Sequence, residues 1–392
     1  MRHAAFWGSA TLILYTYAVF PAIVLIRAVL RPLDYASADV TPRVSVLIAA
    51  HNEQASIGAK VRNALNQEYP PGRIEVVVAS DGSSDQTVEA ARVEARDNVR
   101  VLDLPRVGKA AALEAAARSS SGDVLVFTDA NSMFAPDAVR QLVRPFADQS
   151  VGGVAGNQRY QDGAGTDAIG EGERTYWNVE RLLKTAESRG GSTVSATGAI
   201  YAVRRTLFSG VPVGVTDDFA VSTSVIAQGQ RLVFAPDAVA WEPVANSGGR
   251  EWGRKVRIMT RGLRGVYLRR RLLDPRSAGF YAVQLFSHKV LRRVMGLPLL
   301  ALALSTPHLW REHAIYRLAA LCQAGVYGLG IAGLLLREHR IGRSTILSAP
   351  AYFLLVNAAG LAAVWNLVRG HRIDRWDPQR AQAEPPQQAP AD

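Results

Sequence analysis

Residues 44–53 read VSVLIAAHNE, an apolar run that stops abruptly at polar residues. Residues 74–81 read IEVVVASD and repeat this pattern. Both runs are rich in β-branched residues and end in polar clusters, which predicts the strands Val44–Ala50 and Ile74–Ser80. Because neither run alternates with polar residues, both faces of each strand should be covered, as in a parallel sheet.

The neighbouring sequence continues this alternation of strands and helices. Two further apolar runs, Val99–Leu104 and Val124–Asp129, predict strands, and the Ala-rich stretch Ala110–Ser119 predicts a helix between them. An earlier helix, Ala55–Glu68, is closed by the sequence YPPG at 69–72. We therefore predict an α/β protein with a mostly parallel sheet, whose ligands bind at the carboxyl ends of the strands.

The charge of the chain is strongly positive and unevenly distributed. The chain has 392 residues, a formal charge of +11 and one cysteine, which excludes an internal disulfide. The segment from Arg250 to Arg293 carries thirteen basic residues against two acids and precedes an apolar stretch. This position favours an anionic membrane surface, where each charge contributes about 1 kcal/mol. Nucleic acid is disfavoured as a partner because no nucleic-acid-binding motif accompanies the block.

The N-terminal segment is predicted to cross a membrane. Phe6–Leu30 carries no charge until Arg27, and its length suffices for a hydrocarbon core of about 30 Å. A cleaved signal peptide is the alternative, but the apolar run is too long and no clear cleavage site follows. Arg27, Arg31 and Arg43 place its C-terminal end in the cytoplasm. We expect an integral protein of the cell membrane with a cytoplasmic soluble domain.

The C-terminal third combines a basic amphipathic segment with apolar ones. Arg250–Arg271 has apolar residues at helical spacing among arginines, which predicts a helix at the membrane surface. Val294–Leu309, Leu318–Leu336 and Ile346–Val368 follow; the last two are long enough to span, whereas the first is short and contains two prolines. The predicted organisation is an anchor and linker at 1–41, the α/β domain at 42–245, interfacial helices at 246–280, about three membrane segments at 281–370 and a disordered tail at 371–392.

The membrane topology stays open at this stage. Four spans would put both termini on the side opposite the soluble domain. Basic residues after the last span instead favour a cytoplasmic C-terminus. Either the first C-terminal segment is re-entrant or interfacial, or the charge rule is broken here.

Polar clusters follow the first two strands. Glu53 closes the first cluster, and Asp81-Gly82-Ser83-Ser84-Asp85 forms the second. Carboxylates at a strand end can accept hydrogen bonds from a base or a ribose. The ordinary alternatives are a helix N-cap for Asp85 and a turn residue for Asp81.

Two further clusters suit a diphosphate. Lys109 follows Gly108 at a predicted helix N-terminus, where the helix dipole and close backbone approach favour phosphate; a surface lysine is the alternative. Asp129 and Asn131 form a D-x-D-like pair after the fourth strand, and their oxygens suit Mg²⁺ or Mn²⁺. The histidines show no zinc-ligand spacing.

Asp217 and Asp218 precede an apolar helix, Phe219–Gln228. Paired acids at this position can simply cap a helix and complement its dipole. As a functional pair, one of them could instead deprotonate an acceptor hydroxyl.

The order of these clusters along the chain is more informative about the family than any single cluster. The motifs VSVLIAAHNE, ASDGSSDQT, GKAAALEAA, FTDANS, ATGAIYAVRR and TDD occur in the order and at the spacing of family-2 glycosyltransferases. The chain resembles the membrane-embedded branch that includes cellulose, hyaluronan and poly-N-acetylglucosamine synthases. The resemblance covers about Arg43 to Arg264, and SHKVLR at 287–292 before apolar segments is similar to this branch as well.

The resemblance implies a GT-A (Rossmann-like) fold, a nucleotide-sugar donor that is usually UDP-linked, a divalent metal and inversion at the anomeric carbon. Glu53 and Asp81 would hold the nucleoside, and Lys109 would meet the base or the diphosphate. Asp129 and Asn131 match the acidic motif near the ribose, the phosphate and the metal, Mg²⁺ or Mn²⁺.

On the acceptor side, the resemblance implies that Thr197 and Gly198 shape the binding region. Asp218 matches the last acid of the family's T-E-D motif, the catalytic base, and Asp217 stands where Glu is usual. Direct displacement with inversion needs one base on the acceptor side and charge stabilisation on the leaving diphosphate, but no second carboxylate to activate water.

The sequence departs from the family pattern at two places. Asn131 replaces the usual second Asp of the acidic motif. The Q-x-x-R-W motif of processive synthases is absent; Arg257 is its nearest counterpart on the acceptor side, with Ile258 in place of Trp. Processive synthesis and single addition therefore stay open.

The predicted function is transfer of a sugar to a polysaccharide or lipid-linked glycan acceptor, with membrane lipid and an export subunit as candidate partners. A catalytically inactive scaffold or export partner is the first alternative, and Asn131 is the residue that supports it. A nucleotidyltransferase would share the sheet and the acidic cluster but not TDD followed by an arginine-rich amphipathic helix.

Overall fold

The computed structural model describes residues 1–160, 167–242 and 248–371, with side chains omitted for 248–250. The chain folds into two compact units. The helical unit comprises the described parts of Met1–Arg27, Gly163–Leu183 and Val244–Ile373. The sheet unit comprises those of Ala28–Asp162 and Lys184–Pro243. The predicted tail beyond His371 lies outside the described residues, as does the boundary predicted at 245.

The sheet unit is built on eight strands, in the order β3-β2-β1-β4-β7-β6-β8-β5. Strands β1 to β4 are mutually parallel, β6 and β8 are parallel to each other, and β7 and β5 run antiparallel to their neighbours. The predicted α/β class with a mostly parallel sheet is confirmed. The strands are β1 (Val44–Ala50), β2 (Ile74–Asp81), β3 (Val99–Leu104), β4 (Val124–Asp129), β5 (Met133–Phe134), β6 (Val151–Tyr160), β7 (Tyr201–Arg204) and β8 (Arg231–Glu242).

The strands that the sequence predicted carry the middle of the core. All seven residues of β1 are buried, because β2 and β4 flank it and helices cover both faces of the sheet. One face packs against α3 and α6, the other against α5 and α8. The helices are α3 (Ile57–Leu65), α4 (Thr87–Val93), α5 (Lys109–Ser119), α6 (Ala138–Val143), α7 (Ala168–Arg189) and α8 (Asp217–Ala227).

The second half of the sheet depends on close packing at glycines. A methyl group added at Gly152 would lie 2.5 Å from Leu207 Cδ1 and 2.8 Å from Val225 Cγ1. One added at Gly156 would lie 2.6 Å from Ile200 Cγ2. Strand β6 therefore has glycines where α8 and β7 approach its backbone, at the expense of its intrinsic strand propensity.

The helical unit contains the segments predicted to meet a membrane. Within the described residues, three helical stretches are long and apolar enough to cross one: Arg2–Leu30, Ala314–Leu335 and Thr345–Val368. A fourth crossing would result if Phe280–Val294 and Gly296–Leu309, which are bent by 53°, formed one span. Its helices are α1 (Arg2–Leu14), α2 (Phe20–Leu30), the first part of α7, α9 (Gly248–Leu268), α10 (Pro275–Ala278), α11 (Phe280–Gln284), α12 (Arg292–Val294), α13 (Gly296–Leu309), α14 (Ala314–Leu335) and α15 (Thr345–Val368), with π-helical turns at Tyr15–Val19 and Leu285–Leu291.

The helical unit also contains buried ion pairs. Lys255 Nζ lies 2.6 Å from Glu173 Oε1, and His288 Nε2 lies 2.9 Å from Glu180 Oε1. These pairs tie α7 to α9 and to the π-helical turn within this unit. Residues 167–183, which the sequence placed inside the α/β domain, group here with the helical unit.

Candidate active site

The centre of the candidate site is a lysine held between two carboxylates. Lys109 begins α5, Asp129 ends β4, and Asp217 begins α8. Lys109 Nζ lies 2.8 Å from Asp129 Oδ1 and 3.0 Å from Asp217 Oδ1. Burial alone would lower the pKa of Lys109, but the two carboxylates outweigh it and raise this pKa above its ordinary value. The ammonium is therefore a permanent charge at neutral pH, rather than a solvated surface group.

Asp218 lies beside this cluster in the first turn of α8. Its Oδ1 accepts a hydrogen bond of 2.8 Å from the backbone N–H of Phe219. Burial, followed by the Asp217 carboxylate, raises the pKa of Asp218, while the Phe219 N–H and Lys109 oppose the shift. A carboxylate whose pKa is raised in this way is a better proton acceptor, which is what a general base requires.

Tyr201, on β7, contacts the Lys109 cluster through Asp217. Its hydroxyl donates to Asp217 Oδ2 at 3.5 Å, and its ring stacks on Phe127 with centroids 4.8 Å apart. Burial raises the pKa of Tyr201 well above its usual value, and the charges of Asp217 and Asp218 add to the shift. The phenol therefore stays protonated and is available as a donor.

Asp81 organises the loop that leads to Lys109. Its Oδ1 accepts from the backbone N–H groups of Val107 and Gly108, both at 2.7 Å, and its Oδ2 pairs with Arg106 Nη1 at 2.7 Å. Gly108 adopts φ +90°, a conformation that favours glycine, directly before α5. Asp81 is thereby joined to the Lys109 cluster through the segment 106–109.

Glu53 lies in the loop between β1 and α3. Its Oε2 accepts from Ser56 Oγ at 2.7 Å, and its backbone N–H donates to Thr87 Oγ1 at 2.8 Å. These contacts bind Glu53 to the segments that follow β1 and β2. Asp85 Oδ1 accepts from the Thr87 N–H at 3.1 Å. The N-cap of α4 is Gln86, so Asp85 lies one residue before the position that its N-cap interpretation predicted.

Two of the predicted residues carry buried polar atoms without a hydrogen-bond partner among the described residues: Asn131 Oδ1 and Thr197 Oγ1. Gly198, which follows Thr197, lies against Asp129, because a methyl group added there would be 2.9 Å from Asp129 Oδ2. A buried oxygen without a donor costs free energy, so these atoms indicate positions where a ligand can bind.

These oxygens also decide whether a divalent cation fits. No group of three or more His, Cys, Asp or Glu side chains is placed to hold a metal within the described part of the chain. Mg²⁺ and similar cations commonly take only one or two protein oxygens, with substrate phosphates and water supplying the rest. Asp129 and the unsatisfied amide oxygen of Asn131 meet this smaller requirement.

Three residues of the site were not predicted. Arg106 pairs with Asp81, His51 Nδ1 donates to the Asp81 carbonyl at 2.8 Å, and Tyr201 contacts Asp217. His51 lies in the motif that the sequence singled out, so its position after a strand was the available signal. Arg257 lies on α9, in the helical unit, and its acceptor-side role stays a prediction.

Comparison with known proteins identifies the class to which this fold and site belong. The family model described as glycosyl transferase family 2 matches residues 45–211, so this part of the chain is a glycosyltransferase family 2 domain. A mannosyltransferase of Pyrobaculum calidifontis, solved with GDP-mannose and Mn²⁺, is similar over 93% of this chain and 99% of its own, with a TM-score of 0.70 and 25% identity. The predicted GT-A fold is thereby confirmed.

Two curated relatives are similar to part of this chain. An N-acetylglucosaminyltransferase of Rhizobium sp. (strain N33) is 27% identical over 61% of this chain and 57% of its own length. The poly-β-1,6-N-acetyl-D-glucosamine synthase of Staphylococcus aureus (strain COL) is 26% identical over 55% of this chain and 53% of its own. The chain thus spans about half the length of the curated relatives it matches. The domain and these relatives support a glycosyltransferase.

Gly198→Ala tests the contact with Asp129. The new methyl group would displace the Asp129 carboxylate, and misplacing a site group by a fraction of an ångström should lower kcat/KM for transfer by about ten- to a hundredfold. Initial rates of transfer from the donor, measured on purified protein, check this expectation. Gly58→Ala is the matched control: a methyl group there meets Ala90 O at 3.5 Å, an ordinary contact, and should leave transfer unchanged. Equal rates in both variants would contradict the assignment.

Proposed function

We propose that the chain is an inverting glycosyltransferase that transfers a sugar from a nucleotide-sugar to a polysaccharide or lipid-linked glycan acceptor at the cytoplasmic face of the membrane. The observation that carries the proposal is the Lys109 cluster, in which Asp129 and Asp217 share one ammonium. The family-2 domain, residues 45–211, contains Lys109 and Asp129. Lys109 lies within 3.0 Å of carboxylate oxygens of both Asp129 and Asp217, which supports a shared site for these three residues.

The reaction is a single displacement at the anomeric carbon. The acceptor hydroxyl oxygen forms the new bond to that carbon as the bond to the diphosphate oxygen breaks, and the electron pair leaves with the nucleoside diphosphate. The hydroxyl proton passes to the Asp218 carboxylate. The raised pKa of Asp218 favours this transfer.

The leaving diphosphate gains negative charge as the bond breaks, so stabilisation there lowers the barrier. Lys109 supplies one fixed positive charge, and its location at the N-terminus of α5 adds the positive end of a helix dipole. Asp81 fixes the loop before Lys109 through the N–H groups of Val107 and Gly108. Glu53 and Asp81 remain the residues proposed for the nucleoside side.

Asp129 and Asn131 would hold Mg²⁺ or Mn²⁺, which when bound neutralises charge on the diphosphate. The likeness to a structure containing GDP-mannose and Mn²⁺ supports a nucleotide-sugar and a divalent cation. Thr197, Gly198 and Asp217 would border the acceptor. Arg257, which lies in the helical unit, keeps the acceptor-binding role that the resemblance implies. Membrane lipid and an export subunit are proposed as further partners.

The identity of the nucleotide-sugar donor is determined by testing a set of candidate donors. Membranes containing the protein, supplied with Mn²⁺, should transfer radiolabel from one member of a set of UDP- and GDP-sugars, with UDP-N-acetylglucosamine and GDP-mannose included. Sizing the product separates a polymer from a single addition. Membranes without the protein are the control. No turnover with any donor would overturn the proposal and favour the inactive scaffold, which the neutral Asn131 would then explain.

A further inference from the structure

Beneath the acidic motif lies a lysine that no step of the proposed reaction uses. Lys60, on α3, is 0% exposed. Its Nζ donates to the backbone carbonyl of Ser132 and lies 3.3 Å from the centroid of the Phe134 ring. A lysine is almost never fully buried unless its amine has a specific partner. Here the partner is the residue that follows Asn131.

Ser132 is held from three directions. Its N–H donates to the Asp129 carbonyl at 3.2 Å, which closes the turn Asp129–Ser132. Its hydroxyl donates to Glu242 Oε1 at 2.9 Å, and its carbonyl accepts from Lys60. Ser132 is itself 0% exposed. The turn that presents Asp129 and Asn131 therefore ends at a residue whose position is fixed on both its main chain and its side chain.

Glu242, at the end of β8, is the second charged group of this arrangement. It is 5% exposed, and its Oε2 accepts from Gln158 Nε2 at 2.6 Å. Burial lowers the pKa of Lys60 well below its usual value, while the charges of Asp129 and Glu242 favour the protonated form. The amine can donate to the Ser132 carbonyl in either protonation state. The arrangement thus depends on hydrogen bonding and not on a titration.

Asn63 on α3 and Gln67, two residues after this helix, bind the chain segment that follows Ser132. Asn63 exchanges two hydrogen bonds with the backbone of Phe134, at 2.7 and 2.9 Å. Gln67 donates to the Ala135 carbonyl at 3.0 Å and accepts from the Val139 N–H at 3.1 Å. With Lys60, these side chains form a ladder at helical spacing that binds the segment from Ser132 to Val139.

Buried charges are poor evidence for stability, because apolar residues of similar volume often stabilise a fold as well or better. A buried lysine and a buried glutamate that both bind one residue of this turn therefore point to a requirement for position. That requirement is acute here: Asn131 offers a neutral oxygen, which attracts a cation less than the carboxylate usual in this motif. A neutral ligand must rely more on being held in place.

We propose that Lys60 and Glu242 are positioning residues that clamp Ser132, Lys60 through its main-chain carbonyl and Glu242 through its hydroxyl, so that the Asp129–Ser132 turn is held in the geometry in which the Asn131 amide oxygen can bind a divalent cation together with the donor diphosphate. This inference rests on the proposed function. It adds a pair of residues that touch neither donor nor acceptor. It also explains how Asn131 can serve in place of a charged ligand.

Lys60→Met tests the clamp, because methionine fills a similar volume without a donor. We measure binding of Mn²⁺ to the purified full chain from the EPR signal of the free ion, in the presence of UDP and, in parallel, GDP. Binding should weaken at least tenfold, and the Mn²⁺ concentration for half-maximal transfer should rise by a similar factor, with kcat at saturating Mn²⁺ changed less. Lys184→Met is the matched control, since Lys184 is also a buried lysine near an aromatic ring, 5.9 Å from that of Phe234.

The outcomes separate the two proposals. Unchanged Mn²⁺ binding in a folded Lys60→Met protein would overturn the clamp and leave the proposed function standing. A wild-type protein that binds no Mn²⁺ with either nucleotide would overturn both the metal site and the clamp. If Lys60→Met does not fold, Glu242→Gln tests the clamp instead. This variant keeps an oxygen for the Ser132 hydroxyl but places an amide group next to Gln158. It should also weaken Mn²⁺ binding. If Lys184→Met weakens Mn²⁺ binding as well, the effect of Lys60→Met reflects a general loss of stability, and the clamp is overturned.

Discussion

Asp218→Asn should reduce sugar transfer by at least about a hundredfold, the lower range of what a positioned general base contributes. Asparagine keeps the shape of the side chain and an oxygen for the Phe219 N–H, which lies 2.8 Å from Asp218 Oδ1. It cannot take a proton from the acceptor hydroxyl. The loss should therefore fall on kcat, while binding of the donor, measured by titration calorimetry with the nucleoside diphosphate, changes little.

The same variant should be more stable than the wild type at neutral pH. Burial, followed by the Asp217 charge, raises the pKa of Asp218 above that of an unfolded chain. A group of this kind contributes stability below its unfolded pKa, and this contribution is lost as the pH rises through the folded pKa. Above its unfolded pKa the Asp218 carboxyl therefore lowers the stability of the wild type, and asparagine, which does not titrate, removes this penalty. The unfolding temperature of Asp218→Asn should exceed that of the wild type at pH 7, and the difference should shrink below about pH 4.

Asp217→Asn separates the base from its neighbour. This variant retains the Asp218 carboxylate and removes a group proposed for the acceptor side, so KM for the acceptor should rise while transfer at saturating donor and acceptor persists. If Asp218→Asn keeps more than a tenth of wild-type kcat, Asp218 is not the base. If Asp217→Asn instead shows the larger loss in kcat with donor binding intact, the two roles are exchanged.

The first half of the sheet was predictable because each strand is a short run rich in β-branched and other apolar residues. Strands β1, β3 and β4 begin and end at the predicted residues, and β2 extends one residue further, to Asp81. The second half was not predicted. Strand β6 contains glycines because Leu207, Val225 and Ile200, which are far away in sequence, pack closely against its backbone. Local propensity cannot reveal a requirement that distant chain segments impose.

The candidate site was predictable where polar residues follow strands and less so where helices contribute. Asp81, Lys109, Asp129 and Asp217 are joined by contacts at the sheet edge, as their positions after strands and at helix starts indicated. Lys60 was missed although a signal exists. It lies in the helical stripe of Ile57, Val61 and Ala64, which are all buried, so an apolar residue would be expected there. A charged residue in such a stripe indicates a buried polar partner, whose identity the sequence cannot provide.

Lys109→Met should have the second of the two largest effects, on both binding and stability. The ammonium lies within 3.0 Å of carboxylate oxygens of Asp129 and Asp217, and its removal leaves two like charges facing each other in a partly buried site. Breaking a buried ion pair on one side costs roughly 3 kcal/mol of unfolding free energy. Because the carboxylates raise the pKa of Lys109, its contribution to stability is fully present at pH 7 and is lost only as the pH rises through that raised value.

The effect on function distinguishes this lysine from a structural one. The leaving diphosphate would lose a fixed charge, so donor binding should weaken more than tenfold and kcat should fall by about a hundredfold, as for removal of one group that stabilises developing charge. Lys184→Met, which removes a buried lysine elsewhere in the sheet unit, should lower stability without these losses. Equal donor affinity in wild type and Lys109→Met would mean that Lys109 only neutralises the two acids. The charge on the diphosphate would then have to be met by the cation at Asp129 and Asn131 alone.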